Sequence, residues 1–134
     1  MSKTLTVNWQ GERAFVAANA AENRVAIDGN HSGRGMGASE LLLAALGGCI
    51  ATTAIGVLEK KRQKINSFEI EVQGEQLPDW PRSFTQFHLI CRVSGDEVDP
   101  QAVERAIELA ETRYCTVSSS LRGPVTHEII ITPS

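Results

Sequence analysis

Little in this chain points outward to a charged partner. Of its 134 residues, 13 are Lys or Arg and 16 are Asp or Glu, for a formal net charge of −3. The basic residues are scattered, so there is neither the basic stripe that nucleic acid demands nor a polybasic run for a membrane surface. Internal repeats, low-complexity tracts and linkers are missing too. The opening Met1–Trp9 alternates and lacks the apolar core of a secretion signal, which predicts a cytoplasmic protein. In that compartment thiols are kept reduced, and a disulfide is more often catalytic or regulatory than structural. There is no Cys-x-x-Cys, and His31, His88 and His127 stand at no ligand spacing from the three cysteines, which argues against structural zinc. We therefore expect no metal and no cofactor.

What is present is ordinary globular sequence, 42% apolar and 22% charged, of a length that fits one domain over residues 1–134. Leu5, Val7 and Trp9 alternate as a strand and Gln10-Gly11-Glu12 is a turn. Arg13–Ala18 and Arg24–Asp28 read as two more strands, and Gly29–Gly37 as a glycine-rich loop. Ser39 suits a helix N-cap with Glu40 in the first turn, and the basic run Lys60-Lys61-Arg62 suits an end near Lys64. Two alternating strands follow. Phe68, Ile70 and Val72 share one face of the first, and Phe87, Leu89, Cys91 and Val93 one face of the second. Asp99-Pro100 opens another helix. Its apolar stripe is Val103, Ala106, Ile107, Ala110 and Tyr114, with Glu104, Arg105, Glu108 and Glu111 on the wet side. Val125–Ile131 is a last strand. The fold class is α+β with largely antiparallel sheet.

From Leu41 to Leu58 no residue is charged. The stretch is near the roughly 20 residues that a membrane span needs. Three glycines and two threonines dilute it, and the expectation is a helix buried on all sides within protein. So short a chain has little material to cover such a helix. The simplest cover is the same helix from a second copy, approached closely over Gly47, Gly48, Ala51 and Gly56, which predicts an obligate homodimer.

Each cysteine admits a plain reading. Cys91, between inward-facing Leu89 and Val93, is a small buried hydrophobe. Cys49 follows Gly47-Gly48 in mid-helix, where each glycine costs roughly 0.5–1 kcal/mol against alanine. Either the missing side chains admit a substrate to the sulfur, or they serve close helix packing with Cys49 as filler. Cys115 ends a helix ahead of a serine-rich turn whose N–H groups would stabilise a thiolate, or it is a half-buried thiol with no role.

Two stretches carry a resemblance. Ser39-Glu40-Leu41-Leu42-Leu43-Ala44-Ala45-Leu46-Gly47-Gly48-Cys49, continued by Ile50-Ala51-Thr52, resembles the central-helix motif of the OsmC/Ohr superfamily, and Arg113-Tyr114-Cys115-Thr116-Val117-Ser118 resembles its second cysteine motif. With Trp9–Phe15 and Pro81–Val93 also similar, the likeness covers nearly the whole chain and is nearest to the short OsmC-like branch. The resemblance implies an OsmC-like intertwined homodimer with active sites at its interface. It further implies a two-cysteine peroxidase that reduces organic hydroperoxides in oxidative stress defence. Carried over, Cys49 matches the peroxidatic cysteine and Cys115 the resolving one. The reductant would be an external dithiol, which in the family can be a lipoyl group. Arg13 matches the activating arginine, with Arg34 in reserve. Glu40 stands one residue nearer the cysteine than the family's partner glutamate, and Ala38 replaces a proline that often precedes that acid.

Two other readings compete. Gly33-Arg34-Gly35-Met36-Gly37-Ala38 formally satisfies G-x-G-x-x-A, but no alternation of strands and helices follows to build the parallel sheet of a dinucleotide-binding fold. A non-catalytic binding protein, holding an apolar ligand at the dimer interface with Cys49 in the pocket wall, is the other alternative.

Overall fold

The computed structural model describes residues 1–133, which form two compact units that divide after Leu42. In the first, β1 (Thr6–Trp9), β2 (Ala14–Ala18) and β3 (Arg24–Asp28) make an antiparallel meander in that order. Gly11, at φ 106°, turns the chain between β1 and β2, a conformation glycine adopts without steric cost. Register pairs Val7 with Ala17 and Val25, and Trp9 with Phe15 and Ile27, so one sheet face is wholly apolar. That face is poorly covered: Leu5, Val7, Trp9 and Val25 are all exposed. After β3 the loop folds over the buried Asp28, whose carboxylate accepts from Asn30 N–H, Ser32 N–H and the Ser32 hydroxyl at 2.8–2.9 Å.

Helix α1 runs from Ala38 to Lys60. It begins earlier than Ser39, because Gly37 is the cap: its carbonyl accepts from Leu41 N–H at 3.0 Å, and its N–H donates to Glu40 Oε1 at 3.0 Å. Glu40 thus fills the glutamate half of a capping box. It also stops short of Lys64. Gln63 N–H bonds back to Leu58 O and Arg62 N–H to Glu59 O, with Arg62 at φ 56°, a left-handed termination that releases the chain into a strand.

The second unit, from Leu43 onward, carries β4 (Lys64–Gln76), β5 (Phe84–Asp96), α2 (Pro100–Leu109), a π-turn (Ala110–Tyr114), the short α3 (Thr116–Ser120) and β6 (Val125–Pro133). β4 and β5 form an antiparallel hairpin, and β6 adds to β5 in parallel, as a helical crossover between two strands requires. Phe87, Leu89, Cys91 and Val93 of β5 are buried, as their alternation predicts. They meet Leu46, Ile50, Ala54 and Leu58 of α1 and Val103, Ala106, Ile107 and Ala110 from α2 and the π-turn in one core. Although α1 is long and apolar enough to cross a membrane, its buried stripe is part of this core.

Its own chain covers this helix along one stripe only. Within one chain only Leu46, Gly47, Ile50, Ala54 and Leu58 are buried, while Ala44, Ala45, Gly48 and Thr52 face outward. The glycine pair divides accordingly. A Cβ on Gly47 would stand 2.9 Å from Val72 Cγ2, so this glycine serves packing against β4 of its own chain, whereas Gly48 has nothing within 4 Å.

Candidate active site

Cys49 lies midway along α1, half-buried, and Cys115 lies 3% exposed at the junction of the π-turn and α3. The fold brings them together: the two thiols are near enough for each to shift the ionisation of the other, although 66 residues separate them in the chain. The π-turn is the local cause. Cys115 N–H bonds Ala110 O at 2.9 Å across five residues. After buried Ala110 an α-helix would next turn Tyr114 inward, but the wider turn advances the inward position to Cys115. Tyr114 is accordingly 55% exposed, contrary to its place in the predicted stripe.

Cys115 also caps α3, its sulfur accepting from Ser118 N–H at 3.2 Å. The Ser118 hydroxyl has the Glu111 carbonyl at 3.2 Å and the Cys115 carbonyl at 3.3 Å within reach. Burial pushes the Cys115 thiol up, but the Cys49 S–H, the Ser118 hydroxyl and the N–H groups of Ser118 and Val117 outweigh it and hold its pKa below that of an ordinary thiol. Cys49 moves the other way. Burial and the adjacent Cys115 raise it, against partial relief from the N–H groups of Val117 and Thr116. Of the pair, Cys115 is thus the more readily ionised sulfur and Cys49 the less. Cys91, buried in the sheet core, is pushed up to about 11 by desolvation alone and is an inert thiol.

A model of the OsmC-like protein family matches residues 29–130, most of the chain and both cysteine motifs. The chain belongs to the OsmC-like family. Protein YhfA of Escherichia coli K12 is 31% identical over 119 residues, 89% of each chain. Among solved structures, an OsmC-like protein of unknown function from Vibrio cholerae superposes with a TM-score of 0.80 at 17% identity, covering 97% of this chain and 99% of its own. The organic hydroperoxide resistance protein OhrB of Bacillus subtilis does so with 0.61 at 18%, covering 98% of both. These two matches bear out the α+β fold.

In this OsmC-like chain the two other candidate residues lie in the first unit. Arg13 is exposed at the start of the second strand's hairpin arm, its N–H bonded to Asn30 Oδ1 at 3.1 Å and its carbonyl to Gly29 N–H at 2.8 Å. Glu40 is exposed in the first turn of α1, with Oε1 committed to Gly37 N–H. Arg34, the reserve, is exposed in the loop. A cleft of ≈ 680 Å³ in the first unit is lined by Phe15, Ile27, Asp28 and Arg34 among others, and no cysteine lines it.

Sequence reasoning missed one cluster. His127 of β6 sits between two carboxylates, Nδ1 2.8 Å from Glu111 Oε1 and Nε2 2.6 Å from Glu104 Oε1. Glu111 was expected on the wet side, yet its side chain is only 11% exposed, because the π-turn rotates it inward. Carboxylates at 104, 108 and 111 with an inward-phased histidine in a strand were the available signal.

Proposed function

We propose that this protein is a two-cysteine peroxidase that reduces organic hydroperoxides in oxidative stress defence. The observation that supports it is the Cys49–Cys115 contact, with the more accessible sulfur on the helix and the buried one held by N–H donors. The name of the Bacillus subtilis neighbour points to the same substrate class. In this reading the Cys49 thiolate attacks the terminal O–O bond of ROOH, taking one oxygen as sulfenic acid and releasing the alcohol ROH once a proton is supplied. Cys115 then attacks the sulfenate sulfur, forming the disulfide and expelling water. A dithiol, a lipoyl group being one candidate, reduces that disulfide by exchange and leaves as its own disulfide.

The first step needs Cys49 to give up the proton it holds at rest. The proposal assigns the required positive charge to Arg13, with Arg34 as reserve, and Glu40 Oε2 as the carboxylate that orients it. It also makes the working unit a homodimer. Two apolar surfaces that one chain leaves open, the β1–β3 sheet face and the Ala44–Ala45–Gly48–Thr52 face of α1, are what a second copy would cover.

The test is oxidation of the reduced protein with substoichiometric cumene hydroperoxide, followed by mass analysis without reductant. A Cys49–Cys115 disulfide with Cys91 untouched is expected. Cys49→Ser abolishes peroxide consumption, and Cys115→Ser leaves a single turnover ending in a trappable sulfenic acid. Slow, even oxidation at all three cysteines, or turnover in Cys49→Ser, would overturn the assignment.

A further inference from the structure

The Glu104–His127–Glu111 cluster has no part in the chemistry above, but it is joined to it. Glu111 belongs to the π-turn that rotates Cys115 inward, and its carbonyl is within reach of the hydroxyl of Ser118, whose N–H donates to Cys115 Sγ. A connected path therefore runs from a β6 side chain through the π-turn and α3 to the sulfur. We infer that His127 is a positioning residue for Cys115: bridged to Glu111 and Glu104, the imidazolium pins the π-turn to β6 and keeps the Cys115 sulfur against Cys49 for disulfide formation. This inference rests on the reading that the two cysteines form a disulfide.

Geometry makes the clamp proton-dependent. Both ring nitrogens face carboxylate oxygens, and only the imidazolium carries a hydrogen on each. A neutral ring would leave one carboxylate against a lone pair, and Glu111 is too buried for water to replace the lost bond easily. The groups facing His127 are Glu104 and Glu111 from the helical side, with Glu108 acting on Glu111; its strand neighbours Val125 and Ile129 and its β5 register partner Leu89 carry no charge. Burial pulls the imidazole pKa down, but the bond to Glu104 and the charges of both carboxylates outweigh it and raise it above 6.5. With the folded value raised, the clamp is fully made below the ordinary histidine pKa and is lost as the pH rises through the raised one.

The experiment uses the full reduced chain with diamide as oxidant, which takes up two electrons and two protons as the two thiols join, and needs no hydroperoxide chemistry. The rate of Cys49–Cys115 disulfide formation is followed against pH in the parent, His127→Gln and Glu104→Gln. Near pH 6 the parent is expected to form the bond about tenfold faster than His127→Gln, and the ratio to decline toward one as the pH rises. In Glu104→Gln, which alters only the more exposed carboxylate, that decline moves to lower pH. A pH-independent ratio, equal rates, or an unmoved profile in Glu104→Gln would overturn the inference; so would a diamide product lacking the Cys49–Cys115 bond. If hydroperoxide produces no disulfide while the diamide profile behaves as described, the peroxidase reading fails and the positioning role stands.

Discussion

At the scale of single residues, the opposed shifts of Cys49 and Cys115 make the sharpest statement. Each sulfur is the other's strongest polar neighbour, so removing one changes the other with a predictable sign. In Cys115→Ser, Cys49 loses the adjacent sulfur that raises it, and its pKa falls. In Cys49→Ala, Cys115 loses an S–H donor that lowers it, and its pKa rises. Thiolate absorbance followed against pH in the two variants, with Cys91 titrating separately around 11, would register both movements. Shifts in the same direction would mean the sulfurs do not share a proton. Spacing alone could not give the proximity of positions 49 and 115, which depends on a helix and a crossover meeting; only the resemblance to the family paired the two cysteines. The burial of Cys91, by contrast, was legible from its strand alternation alone.

At the scale of elements, what periodicity could supply was the existence and inward face of each strand and helix; what it missed were departures from regular period. The π-turn is the clearest case. It carries no sequence signature, and one widened turn exchanged the inward places of Tyr114, Glu111 and Cys115. The start of α1 was misplaced as well. Gly37 takes the N-cap role that Ser39 was expected to fill, whereas the basic run did mark the C-terminus: α1 ends at Lys60, four residues before Lys64, with Arg62 in the left-handed termination. The glycines of α1 allow a measured contrast. Alanine at 47 would gain helix propensity of about 0.5–1 kcal/mol, but its Cβ meets the stiff Val72 at 2.9 Å, and overpacking of about 1–3 kcal/mol wins. Alanine at 48 meets nothing within 4 Å in the chain and keeps the gain. In chemical denaturation at concentrations low enough to keep the chain monomeric, Gly47→Ala is expected to be destabilised by on the order of 1 kcal/mol. Gly48→Ala is stabilised by somewhat less. The reverse order would show that Gly47 is not pressed against β4.

At the scale of the whole molecule, the question is what covers the open face of α1. Ala45 lies on that face, exposed and uncharged, where a lysine in an isolated chain would simply extend into water. In a two-fold dimer built on this face the same substitution enters twice, because each copy presents it to the other. Two unpaired ammonium groups removed from water cost several kcal/mol each, far more than any gain in helix propensity. Ala45→Lys should therefore weaken association by at least about a hundredfold, roughly 3 kcal/mol, while leaving far-UV circular dichroism unchanged. Sedimentation equilibrium across a dilution series separates the outcomes. A parent at twice the chain mass with a variant at once the chain mass places α1 at the seam. An unchanged dimer in the variant moves the seam elsewhere, and the apolar sheet face of Val7, Trp9 and Val25 becomes the surface to charge next. A parent that is monomeric throughout removes the dimer from the proposed function altogether.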